Sequence, residues 1–170
     1  MIFIEFKKGQ GLGNQLWLYF AAVSISKKLK TEVKINNYNH FVGKDFIKLN
    51  QSKKNIKNYK NIFHERFYYD QRINHISHFY DERFCKIKKN TLLEGYFQDE
   101  RYFLNQKINF FKHIQIKNPN LNQIKLDKKS CVLNIRGGEY KRHKDFILPK
   151  NYWLNSIEIM RKKGVEKFII

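Results

Sequence analysis

An α/β fold built on a parallel sheet is what these 170 residues predict. Three features point to it. An apolar run, Ile2-Phe3-Ile4-Glu5-Phe6, leads through a glycine turn into a helix-spaced segment and a second apolar run, the order of a βαβ unit. A later apolar run, Ser130 to Arg136, ends in a second glycine turn, Gly137-Gly138. Hydrophobic residues make up 42% of the chain, enough for a packed core despite 29% charged residues.

Each element follows from local chemistry. Ile2 to Phe6 is β-branched and aromatic, so it reads as a first strand. Gly9, Gly11 and Gly13 supply a turn, and from Asn14 to Lys30 the positions Leu16, Tyr19, Phe20 and Val23 recur at helical spacing. Lys27, Lys28 and Lys30 fall in the last turn, where positive charge complements the helix dipole. Glu32-Val33-Lys34-Ile35 is a short second strand. Leu49 to Asn61 is rich in asparagine, lysine, glutamine and serine and reads as an exposed loop or insertion. Residues 62–90 carry spaced aromatics that fit short helices better than strands. Leu92 to Phe97 is a strand running into a turn, and Asp99 to Phe111 has helical periodicity.

Pro119 and its asparagine-rich neighbours mark a domain boundary near 117–129. Ser130 to Arg136 is then a buried strand. Leu148-Pro149 opens a helix, Gly164 closes it as a left-handed cap, and Glu166 to Ile170 begins a further strand. No internal repeat is present.

The formal charge of +19 invites nucleic acid, anionic membrane or acidic substrate as partners. Lysine, asparagine and isoleucine are all abundant, however, a pattern that AT-rich coding produces. The aromatic and basic stretch 62–90 carries no RNA-recognition signature, so no nucleic-acid partner is expected. Peripheral contact with an anionic membrane face stays among the expectations. The start of the chain has no basic leader and no long apolar run, which predicts neither signal peptide nor membrane span and a cytoplasmic location. Cys85 and Cys131 lie in no CxxC or zinc-like spacing and are expected to be reduced. His75 and His78 sit three apart without a convincing third ligand, so no metal is expected. No GxSxG elbow and no Walker sequence occurs.

The two glycine turns carry the candidate site, because ligands of α/β sheets gather beyond the carboxyl ends of strands. The spacing of Gly9, Gly11 and Gly13 is not that of a dinucleotide fingerprint, and no acidic residue is cleanly placed at the end of the second strand. A helix beginning near Asn14 still presents free backbone N–H groups to the turn, with Asn14 as its cap and its amide directed at a ligand. The alternative is a plain tight turn. At the second turn, Gly137 and Gly138 allow close backbone approach to an anion, and Arg136 can neutralise a diphosphate; otherwise Arg136 is a surface arginine. Glu139 either accepts a hydroxyl proton or pairs with Lys141, Arg142 or Lys144.

Three segments together carry a resemblance. Gly11-Leu12-Gly13-Asn14-Gln15-Leu16 resembles the GGLGNQ opening of glycosyltransferase family 11, the α-1,2-fucosyltransferases. Gly95-Tyr96-Phe97-Gln98-Asp99-Glu100-Arg101-Tyr102-Phe103 is similar to that family's GYWQSEKYF-like segment. Asn134 to Tyr140, followed by Leu148-Pro149-Lys150-Asn151-Tyr152-Trp153, resembles its HxRRGDY…LPxxYY stretch.

The resemblance implies a GT-B architecture of two Rossmann-like halves with a cleft between them. It implies metal-independent, inverting transfer of fucose from GDP-fucose, without a cofactor, to a galactose-containing glycan in bacterial surface-glycan or lipopolysaccharide synthesis. Residues 1–120 would be the acceptor-side domain, with an insertion at about 36–90. Residues 130–170 would be the first βα unit of the nucleotide-sugar domain, whose later motifs have no counterpart here. The family's donor-diphosphate arginine falls on Arg136, with Gly137 and Gly138 beside it, and the GLGNQ turn puts Gly13, Asn14 and Gln15 near the reacting sugar. Three positions depart from the pattern: Asn134 stands for the motif histidine, Gly137 for its second arginine and Glu139 for its aspartate. The rival expectations are a related transferase using another nucleotide sugar, a non-catalytic remnant or subunit of a split enzyme, and a basic nucleic-acid-binding module.

Overall fold

The computed structural model describes residues 1–54, 58–71, 75–103, 109–117, 127–135 and 147–170, which fall in two compact units, Met1–Pro119 and Asn120–Ile170. The first contains β1 (Ile2–Glu5), α1 (Leu12–Lys28), β2 (Val33–Asn36), β3 (Ile47–Leu49), β4 (Asn61–His64), β5 (Phe67–Asp70), β6 (His75–His78), β7 (Thr91–Glu94) and β8 (Ile114–Ile116). The second contains β9 (Ser130–Val132), α2 (Lys150–Lys162) and β10 (Lys167–Ile169). The fold is mixed α/β.

The first unit is organised by a four-stranded sheet in the order β2-β1-β7-β4. Every pair in it is parallel. Its central strands read as unbroken apolar runs, Ile2-Phe3-Ile4 and Leu92-Leu93, all buried, as expected where both faces of a parallel sheet are covered. Helix α1 contributes Leu18, Tyr19, Ala21, Ala22, Val23 and Ile25 to the same core. Its outer side meets aromatic cover as well: Trp17 lies 5.3 Å from Phe103 and Phe20 lies 4.3 Å from Phe110, ring centre to ring centre. The Tyr19 hydroxyl donates to the carbonyls of Asn50 and His113, each at 2.9 Å, and burial pushes its pKa well above the usual value.

The expected strand, turn, helix and strand at the start of the chain are all present, with one correction. Helix α1 begins at Leu12, and Gly11 is its N-cap, with no side-chain cap. Asn14 is therefore already inside the first turn, and its side chain is free to bond elsewhere.

Residues 62–90 differ from the helices expected there. Asn61–His64 adds a fourth strand to the parallel sheet, and β5 pairs with β6 as an antiparallel hairpin. Only one short 3-10 turn, Glu82–Lys86, is found in that stretch among the described residues. The spaced aromatics serve tertiary packing instead: Phe84 meets Phe97 and Tyr102 from beyond the stretch, tilted or edge to face, at 5.9 and 4.8 Å. The loop expected from Leu49 opens with Ile47–Leu49 paired antiparallel to β8. Between Asp99 and Phe111 the described residues form two 3-10 turns, Glu100–Tyr102 and Phe110–Lys112, in place of a continuous helix.

In the second unit β9 and β10 pair in parallel around α2, the βαβ arrangement expected there. Gly164 closes the helix at φ +89, the left-handed conformation that favours glycine. The strand expected to be buried is not, with Val132 58% exposed. Among the described residues the unit holds two strands and one helix, and α2 buries none of its own residues.

Candidate functional site

A cleft of about 350 Å³ opens at the carboxyl ends of β1 and β7, within the first unit. Parallel strands place their following loops together at that edge, which is why α/β sheets bind ligands there. One wall is the turn after β1, from Lys7 to Gly11, continuing to Asn14 and Leu18 on α1. The other is Leu93, Glu94, Gly95 and Tyr96 at the end of β7, and Glu5 at the end of β1 also lines the cleft.

Strand register sets the polar groups of this edge. Glu5 pairs with Asn36, and His64 pairs with Glu94. Ile4 pairs with Leu93, so Glu5 and Glu94 follow side by side on the next rung. Each carboxylate has a polar partner on its outer flank. Asn37 Nδ2 donates to Glu5 Oε1 at 2.5 Å, and His64 Nδ1 lies 2.9 Å from Glu94 Oε2.

The opposite wall is electropositive. Lys7 and Lys8 lie in the turn, and the N–H groups of the first turn of α1 have no acceptors within the helix. A Cβ built on Gly9, Gly11 or Gly13 would meet nothing within 4 Å. Gly9 needs its freedom for φ +82, but protein packing does not demand glycine at 11 or 13.

The turn after β7 is held from beneath by Glu65, a buried carboxylate. Its Oε2 accepts from Tyr96 N at 2.7 Å and Phe97 N at 2.8 Å. That clamp maintains Phe97 at φ +52, an uncommon conformation for a bulky residue. Beyond the turn, Gln98 Nε2 donates to Asn14 Oδ1 at 2.6 Å. Asp99 then caps the next turn by accepting from Arg101 N at 2.9 Å. The hydrogen-bonded Arg101 guanidinium holds the Asp99 carboxyl below the usual carboxylate range.

Of the residues singled out in the sequence, Asn14 lines the cleft. Gly13 sits beside it in the first turn of α1. Gln15 is buried and spans two backbone groups of the loop after β2, donating to His40 O at 2.8 Å and accepting from Val42 N at 2.9 Å. Its side chain therefore holds structure together directly beneath the turn. Arg136, Gly137, Gly138 and Glu139 lie outside the described residues, as do the Pro119 linker and His143. Asn134 is described and exposed.

Glu5, Lys7, Lys8, Gln10 and Glu94 were not singled out. A signal existed for two of them: Ile2-Phe3-Ile4-Glu5 and Thr91-Leu92-Leu93-Glu94 both end an apolar run in glutamate just before a glycine-bearing turn. Among the described residues no group of three or more metal-ligating side chains is gathered, and no helix is long and apolar enough to cross a membrane. Both cysteines are free. Compared with known proteins, the chain matches no family model, no curated protein and no solved structure.

Proposed function

We propose that the chain is a glycosyltransferase of the α-1,2-fucosyltransferase kind, moving fucose from GDP-fucose to a galactoside hydroxyl in surface-glycan synthesis on the cytoplasmic side. In this reading the fold is GT-B: the first unit takes the acceptor glycan and the second begins the nucleotide-sugar half. One observation carries it. The GLGNQ and GYFQ segments, far apart in sequence and independently similar to the same enzyme family, meet through the 2.6 Å Gln98–Asn14 hydrogen bond at the cleft.

The chemistry of the cleft supports the same assignment. Carboxylates and amides accept and donate to sugar hydroxyls, and Tyr96, 42% exposed, offers an aromatic face. Glycine at 11 and 13 leaves the backbone open to a ligand. Arg136 is assigned to the donor diphosphate, where a guanidinium stabilises the charge that develops as the sugar–phosphate bond breaks. Gly137 and Gly138 admit the phosphates to the backbone, and no metal or cofactor takes part.

Calorimetric titration with GDP-fucose and transfer of labelled fucose to a galactoside test the proposal. Binding and transfer are expected, with Arg136→Ala weakening donor affinity more than about tenfold, the scale of hydrogen bonds to a charged group. Absence of both binding and transfer, or unchanged affinity in Arg136→Ala, overturns it.

A second reading is favoured by the second unit, where Val132, Leu154, Ile159 and Ile170 are each more than half exposed. Apolar surface of that kind is normally covered, which fits a subunit whose donor half is completed by association. Transfer that depends on an added partner would select this reading.

A further inference from the structure

Glu94 stands out in the polar row along the sheet edge. It lines the cleft with Asn14, and its Oε2 is engaged by His64 Nδ1 at 2.9 Å. No described residue donates a hydrogen bond to its Oε1. The neighbouring carboxylate, Glu5, is held instead by the Asn37 amide, which can neither take nor release a proton. His64 can do both. Its side chain is 69% exposed, so the imidazole lies between the Glu94 carboxylate and solvent.

We infer that Glu94, positioned by His64, is the base that takes the proton from the acceptor hydroxyl, an assignment resting on the transferase proposal above. The hydroxyl proton passes to Glu94 Oε1 as the acceptor oxygen bonds to the anomeric carbon of the nucleotide sugar. The anomeric carbon–phosphate oxygen bond breaks, and its electron pair leaves on the nucleoside diphosphate. The proton then leaves Glu94 for solvent, while His64 stays against Oε2 and positions the carboxylate. Among the described residues the titratable and charged groups near Glu94 include Glu5 on β1, Lys7 and Lys8 in the turn after it, Tyr96 after β7, His64 on β4, Glu65 whose N–H donates to Glu94 O, and Arg83, which donates to His64 O.

Steady-state transfer kinetics and GDP-fucose calorimetry on the full chain test this, using wild type, Glu94→Gln, Glu94→Asp, His64→Gln and Glu139→Gln. Glu94→Gln should lower kcat about a hundredfold, the scale of general base catalysis, with donor affinity within about twofold of wild type, and Glu94→Asp should recover part of the rate. His64→Gln, at an exposed position, should fold normally and alter the acid limb of the kcat–pH profile. The inference is overturned if Glu94→Gln keeps kcat within about threefold of wild type, if the loss falls on Glu139→Gln instead, or if His64→Gln leaves the pH profile unchanged. A wild type that binds no GDP-fucose and transfers nothing sinks the transferase proposal itself, an outcome distinct from active wild type with active Glu94→Gln.

Discussion

Gln98 and Asn14, separated by 84 residues, are joined by a 2.6 Å hydrogen bond from the Gln98 amide to Asn14 Oδ1. The bond ties the turn after β7 to the first turn of α1. In this arrangement Asn14 Oδ1 accepts from Gln98, which leaves Nδ2 as a donor for the cleft. The helix does not need Asn14 as a cap, since Gly11 occupies that position.

Replacing Gln98 by leucine should therefore cost function more than stability. A net hydrogen bond contributes about 0.5–1.5 kcal/mol, so kcat/KM for fucose transfer is expected to fall about two- to tenfold. Thermal melting should move little, because the bond is exposed. A lowered melting temperature with unchanged kcat/KM would make the bond a structural tie only.

Gly95 is predicted to tolerate no side chain. A Cβ there would sit 2.5 Å from both Cβ and Oε2 of Glu65, the carboxylate that holds the turn. Gly95→Ala is expected to lose about 2 kcal/mol, in the range of overpacking, read from urea denaturation. Glu65→Ala removes the acceptor of two backbone N–H groups and destabilises separately. Because the two residues share one contact, the double variant should lose less than the sum of the singles. Strict additivity would contradict the geometry.

Gln15 is the motif residue with the clearest structural duty. Fully buried, it bonds the carbonyl of His40 and the N–H of Val42. Gln15→Leu keeps the volume and orphans both groups, so a loss of about 1–3 kcal/mol is expected. GDP-fucose affinity of the folded protein should be unchanged. A variant as stable as wild type but unable to bind the donor would instead place the Gln15 amide at the ligand.

The sequence disclosed most where periodicity was unambiguous. Ile2 to Glu5, the glycine turn, α1, Val33 to Asn36 and Leu92 to Glu94 are long apolar runs or clear helical spacing, and the parallel sheet follows from them. Residues 61–78 misled because aromatics three or four apart satisfy a helix while aromatics at alternate positions satisfy a strand. Asn61–His64 is an edge strand, mostly exposed, so it lacks the apolar run that marks β1 and β7. Glu65 could not be read at all. A charged residue beside an arginine signals surface, and its burial is set by two N–H groups 31 and 32 residues away. At the site, glycine spacing located the turn of β1. The side-by-side placement of Glu5 and Glu94 required the register of the sheet.

Asp81 gives the fold a predictable response to acid. Its side chain is only 2% exposed, and it accepts from Arg83 N at 3.0 Å and from Arg83 Nε at 2.9 Å. Those bonds hold its carboxyl below the usual carboxylate range. The folded state thus binds a proton less readily than the unfolded chain, whose aspartates titrate near about 3.9. It follows that the stabilisation is fully present above that value and is lost as pH falls through the lower folded pKa. Asp81→Asn should be less stable than wild type at neutral pH, and the gap between their urea midpoints should close below about pH 4. The neutral amide of that variant keeps a hydrogen-bond acceptor for Arg83 N but forfeits the ion pair, so the gap reports the charge itself. A gap that stayed constant from neutral to acid pH would mean that packing, and not the Arg83 pair, stabilises this corner of the fold.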